Sequence, residues 1–154
     1  SKNKSVTNIF KSRIEILCRE KNLHIDDYFN FYPQMPYNEY LELILKSDII
    51  LDSMNWSGLN TTIDAISLDK PVITMPDIFM RSRHSFGVLK LLKLDDLICE
   101  SKTAYIDLAV KLSKDSGFQK EVIKKIKLNK KNIFNNYKTI NYLESFFERI
   151  VKFK

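Results

Sequence analysis

Glycine and proline are scarce: three glycines and four prolines serve 154 residues. No Pro/Gly/Ser-rich linker divides the chain, and no internal repeat is present. Two separately tethered domains are therefore not expected, and the length suits one domain with a sizeable core. Long apolar runs are also missing, so no transmembrane segment is expected. Cysteine is limited to Cys18 and Cys99, each in apolar surroundings. That excludes a disulfide framework and favours buried free thiols in a reducing cytoplasm. His24 and His84 stand apart from both cysteines, and no Cys/His metal-ligand spacing appears. Ser1-Lys2-Asn3-Lys4 does not read as a signal peptide.

What the chain has in excess is positive charge, with a net +6. Such a balance would suit nucleic acid or an anionic membrane surface if it were focused on a recognition element. The basic residues instead gather in 111–138, with Lys124-Lys125 and Lys130-Lys131 on a helical, Lys- and Asn-heavy tail. A solvated face is the expected state, with no nucleic-acid partner.

In chain order, Thr7 to Asn22 is expected to be a helix with Phe10, Ile14, Leu17 and Cys18 on one face. Tyr28 to Tyr32 is expected to be a strand closed by Pro33. Pro36 opens a helix carrying Tyr40, Leu43, Ile44 and Ser47 on one face. Asp48 to Asp52 is a continuous apolar strand, expected to be buried on both sides. Val72 to Met75 forms a third strand and Leu97 to Cys99 a short fourth. Helices follow at Arg81 to Leu92, Lys102 to Ser113 with Ser101 as N-cap, Gly117 to Lys130, and Thr139 to Phe153. The last bears Tyr142, Phe146, Phe147 and Ile150, a stripe suited to core or partner contact. Alternating helices and strands predict an α/β fold, a Rossmann-like parallel sheet flanked by helices. The chain opens on a helix where doubly wound domains begin with a strand. One or more first strands are therefore expected to be missing, leaving an edge open to self-association.

The centre of this pattern is Trp56-Ser57-Gly58-Leu59-Asn60-Thr61-Thr62-Ile63-Asp64, between two strands. A strand, tight turn, helix and strand make a βαβ unit, whose ligands bind at strand carboxyl ends beside helix N-termini. Free N–H groups and the positive end of the helix dipole suit a phosphate there. Gly58 permits close backbone approach, and Asn60, Thr61 and Thr62 supply short side-chain donors. Thr61-x-x-Asp64 also matches a capping box, which only starts a helix.

Three segments together resemble the nucleotide-sugar half of O-linked N-acetylglucosamine transferases and their bacterial relatives. They are Phe31-Tyr32-Pro33-Gln34-Met35-Pro36 with Glu39-Tyr40, then Ser47-Asp48-Ile49-Ile50-Leu51-Asp52. The third and most specific is Gly58 to Ile66 running into Lys70-Pro71-Val72-Ile73-Thr74-Met75-Pro76. The resemblance covers about Asn30 to Asp115. It implies the C-terminal lobe of a GT-B glycosyltransferase, one Rossmann-like lobe over 1–154 with an α/β core at 1–137 and a C-terminal helix at 138–154. By that resemblance the enzyme is inverting and moves a sugar, N-acetylglucosamine or a hexose, from a UDP-sugar to a protein or glycan hydroxyl. It implies no metal or other cofactor, and a missing N-terminal lobe as partner, without which this chain is expected to be inactive. Backbone near Met35 would pair with uracil and Tyr40 would present a ring to the base. Gly58, Asn60, Thr61 and Thr62 would meet the diphosphate and Asp64 the ribose hydroxyls. Leu59, Tyr37 and Leu43 depart from the animal enzymes, and no general base is named.

Other readings stand beside these. Tyr40 on an apolar helix face also fits a core role. Asp48 and Asp52 share a strand face but read as solvated strand ends rather than paired carboxylates. Arg83 and His84 would reach an anion or sit at a solvated helix start. Trp56 would line a sugar pocket or plug the loop against the core. The rival functions are a GT-B enzyme acting on lipid or polysaccharide, and a non-catalytic nucleotide- or partner-binding domain.

Overall fold

The computed structural model of the chain describes residues 4–134 and 136–151. It divides into two compact units, Ser1–Leu41 and Glu42–Lys154.

In the first unit, α1 (Lys4–Glu20) ends where Asn22 turns to a left-handed φ of 53°. Asparagine tolerates that conformation, and the turn lets the Leu23 N–H donate to the Cys18 carbonyl at 2.8 Å. The expected apolar face is narrower than its spacing implies. Cys18 is buried and Ile14 half-buried, but Phe10 and Leu17 are exposed. A single helical turn, α2 (Ile25–Tyr28), occupies the start of the expected first strand. The following stretch, 29–36, is extended at Phe29 but carries no ladder. A run of aromatics favours a pleated surface only when another strand supplies hydrogen bonds. Among the described residues none pairs with this one, so the strand at Tyr28 to Tyr32 is not formed. Its rings pack on α1 instead, with Phe31 edge-on to Phe10 at 6.4 Å. Pro36 immediately precedes α3 (Tyr37–Lys46), which crosses the boundary between the units.

The second unit contains a parallel pair, β1 (Ile50–Leu51) and β2 (Val72–Ile73), in register Ile50↔Val72 and Leu51↔Ile73. The helix α4 (Asn60–Ser67) crosses between them, which is the expected βαβ unit in miniature. Beyond β2, a 3-10 turn at Met80–Ser82 leads to α5 (His84–Leu91). The expected strand at Leu97 to Cys99 contracts to one parallel bridge, Thr74↔Ile98, after a 3-10 turn at Asp95–Leu97. β1 is not buried on both sides as expected: Ile50 is half-buried and Leu51 is 56% exposed. No other strand covers it among the described residues. The fold class is thus α/β with parallel pairing, but its sheet is far smaller than an extended Rossmann sheet.

Helices α6 (Lys102–Lys114) and α7 (Ser116–Asn129) complete the core. Ser101 caps α6 by accepting from the Ala104 N–H at 3.1 Å, as its position predicts, and Asp115 does the same for α7. Ile66, Ile73, Leu89, Leu97, Leu112 and Ile126 are fully buried together with Leu92 and Leu94. Burial of each such side chain is worth roughly 1.5–3 kcal/mol. α8 (Tyr137–Val151) has no buried residue, and its stripe of Tyr142, Phe146, Phe147 and Ile150 is exposed. Residues 152–154, the end of the expected last helix, lie outside the described residues. Both cysteines are buried free thiols.

Candidate functional site

The carboxyl end of β1 feeds a loop that delivers the chain to the start of α4. Asp52 holds that loop. Its Oδ1 accepts from the Gly58 N–H at 2.8 Å and its Oδ2 from the Thr74 hydroxyl at 2.7 Å. Its backbone carbonyl accepts from the Tyr105 hydroxyl at 2.8 Å. Asp52 is buried, so its expected role as a solvated strand end is wrong. A carboxylate whose oxygens each accept a donor can be buried without an unmet charge. Asp48 is exposed, as expected. Burial, with the Asp52 carboxylate and the Cys99 thiol adding to it, pushes the Tyr105 phenol up to about 12. Burial also raises the Cys99 thiol.

A second set of bonds ties the same loop to α5. The Ser57 N–H donates to the Arg81 carbonyl at 2.8 Å. Its hydroxyl oxygen accepts from the His84 and Ser85 N–H groups at 2.9 and 3.3 Å. The Gly58 carbonyl lies 3.1 Å from Thr62 Oγ1 and 2.8 Å from Ser85 Oγ, and those two oxygens are 2.7 Å apart. With one proton each, one hydroxyl donates to the carbonyl while the other can donate to its partner. Gly58 has its own reason to be glycine. A Cβ there would run into Thr61 Oγ1, so the loop closes against its own helix before any ligand is considered.

The loop, β1 and the first turn of α4 line a cleft of about 540 Å³. Gly58, Asn60, Thr61 and Thr62 all border it. Asn60 and Thr61 are exposed, whereas Thr62 is buried with its hydroxyl turned to Gly58 and Ser85. Asn60 and Thr61 are thus the side chains free to reach into the cleft, and Thr62 braces the turn. α4 starts at Asn60 with Leu59 in the N-cap position and no side-chain cap bond. Thr61 therefore lies inside the first turn, and the Thr61-x-x-Asp64 capping box is not what begins this helix. Asp64 is half-buried one turn further on, outside the cleft lining. Met35 and Tyr40, both half-buried, belong to the first unit. There Tyr40 stands 6.2 Å from the Tyr37 ring.

Trp56 does not plug the core: it is 71% exposed and borders the cleft. Arg83 and His84 part company. The Arg83 guanidinium donates to the Asp77 carbonyl at 3.0 Å and lies over the Phe86 ring at 4.4 Å. His84 borders the cleft. Sequence reasoning misassigns Asp52 and gives no role to Ser57, Thr74, Ser85 and Tyr105. Spacing along the chain carries no signal for bonds across 22, 28 and 53 residues. What such an arrangement can do chemically is present first-turn N–H groups and two short polar side chains to an anion, on a backbone already fixed.

The family model for glycosyl transferase family 41 matches residues 11–144. A UDP-N-acetylglucosamine--peptide N-acetylglucosaminyltransferase of Giardia intestinalis is 31% identical over 123 residues, 79% of this chain. A mutant O-GlcNAc transferase of Thermobaculum terrenum superposes over 92% of the chain with a TM-score of 0.79. At 21% identity that second likeness is one of fold. The chain spans 8% of the length of the Giardia relative and 27% of the Thermobaculum chain.

Proposed function

The chain belongs to glycosyl transferase family 41, and on that premise we propose that it is the donor-binding lobe of a GT-B enzyme. The enzyme is inverting. It moves N-acetylglucosamine or a hexose from a UDP-sugar to a hydroxyl of a protein or glycan. The observation that carries this reading is the clasp of Asp52 on Gly58, which aims the first turn of α4 into the cleft. The printed name of the Giardia relative, a UDP-N-acetylglucosamine transferase, supports the donor class.

In this reading the diphosphate sits against the N–H groups of Asn60 and Thr61, helped by their side chains. As the sugar–phosphate bond breaks, charge grows on the leaving UDP. Fixed amides and the helix dipole meet that charge without reorganising, and no metal is needed to neutralise it. Asp64 accepts from the ribose hydroxyls, backbone at Met35 pairs with uracil, and the Tyr40 ring faces the base. A second lobe, with the acceptor and the base that deprotonates it, closes the cleft from the other side. Positioning across that cleft supplies much of the rate, so this chain alone has no transferase activity.

Calorimetric titration of UDP tests the reading. UDP is expected to bind, and Asp64→Asn to weaken it about ten-fold through loss of a charge-assisted hydrogen bond. Equal affinity for the variant would remove Asp64 from the ribose site. Absence of UDP binding would remove the donor-lobe reading itself.

A further inference from the structure

We infer that His84 is a direct contact of the donor diphosphate, reaching it from the wall of the cleft built by the start of α5. The inference rests on the donor-lobe reading and deepens it.

Two ionisable residues, Asp52 and His84, border the cleft. A diphosphate entering there would meet a carboxylate unless that charge were engaged. It is: Asp52 accepts from Gly58 with one oxygen and Thr74 with the other. His84 is the remaining group, and it can donate a hydrogen bond when neutral and add a positive charge when protonated. The first two N–H groups of α5 are not on offer to a diphosphate. The N–H groups of His84 and Ser85 are consumed by the Ser57 hydroxyl at 2.9 and 3.3 Å. The same bonds fix where the imidazole starts. The residue is half-buried, and its imidazole has no hydrogen-bond partner among the described residues. Arg83, the stronger anion ligand by type, is held at the Asp77 carbonyl and on Phe86. Its neighbour is therefore the residue placed to take a phosphate oxygen.

The experiment compares UDP and uridine binding by calorimetry in the unsubstituted chain, His84→Ala and His84→Lys, with melting temperatures recorded. His84→Ala is expected to weaken UDP about ten-fold, the scale of one charge-assisted bond. Uridine affinity and melting temperature are expected to stay unchanged. His84→Lys, which again supplies a donor to a phosphate oxygen, is expected to hold UDP within about three-fold of the unsubstituted chain. UDP binding unaltered in His84→Ala would overturn the assignment and leave the donor reading standing. Parallel loss of UDP, uridine and melting temperature would overturn it in favour of a structural role. No UDP binding by the unsubstituted chain would overturn both.

Discussion

The two units of the chain support their proposed ligand contacts in different ways. In the second unit the cleft-lining loop is anchored on three sides: Asp52 to Gly58 and Thr74, Ser57 to the start of α5, and Tyr105 beneath. All of this rests on a core of fully buried Leu and Ile side chains. In the first unit Cys18 is the one described residue that is buried, while Val6, Ile9, Phe10, Ile16 and Leu17 along α1 stay exposed. Met35 and Tyr40, proposed for the base, sit in that second kind of environment. A diphosphate bound as proposed would thus meet geometry built before binding, which favours tight transition-state contacts. The base end has much less packing behind it.

The largest expected effect contrasts two leucines. Leu89→Ala in the second unit removes a fully buried side chain and should cost about 2–5 kcal/mol. Leu17→Ala in the first unit, 56% exposed, should cost less than about 0.5 kcal/mol. Urea unfolding of both variants checks this, and similar losses would erase the distinction between the units. Next comes Asp52→Ala, which strands the Gly58 N–H and the buried Thr74 hydroxyl. It should cost about 2–3 kcal/mol in stability and abolish UDP binding, because the loop loses its clasp. Wild-type UDP affinity in that variant would show that the clasp does not shape the site.

The smallest effect sharpens the contrast by pH. Tyr105→Phe removes the bond to the Asp52 carbonyl and should cost about 1 kcal/mol at neutral pH. The folded-state pKa, pushed up to about 12 mainly by burial, lies above the ordinary 10.0. The phenol therefore stays protonated in the folded chain after it has begun to ionise in the unfolded one. Its contribution is complete below pH 10 and is lost as pH rises towards 12. Unfolding curves between those values should fall steeply for the unsubstituted chain and less steeply for Tyr105→Phe. Parallel curves would mean that Tyr105 is not the group that titrates there.

Much of the helical framework was legible because its signals are local. Ser101 before an apolar-periodic run announces a cap, Pro36 announces a helix start, and helical spacing marks the apolar faces. The strands were less legible, since a strand exists only with a partner. Tyr28 to Tyr32 has the composition of a strand and no ladder, while Asp48 to Asp52 shrinks to two paired residues.

The sequence by itself determined the βαβ centre, the turn at Gly58 to Thr62 and the family resemblance, all written in neighbouring residues. Only the tertiary structure decided what each residue does there. Thr62 and Asp52 look alike on paper as polar side chains beside a tight turn, yet both are buried and spent on holding it. Among the residues that border the cleft, Trp56, His84, Asn60 and Thr61 have side chains that are not spent in this way. The physical reason is that a buried polar group must find its partner wherever the fold brings one. For Asp52 those partners are Gly58 and Thr74, and for its carbonyl Tyr105, a residue 53 positions away.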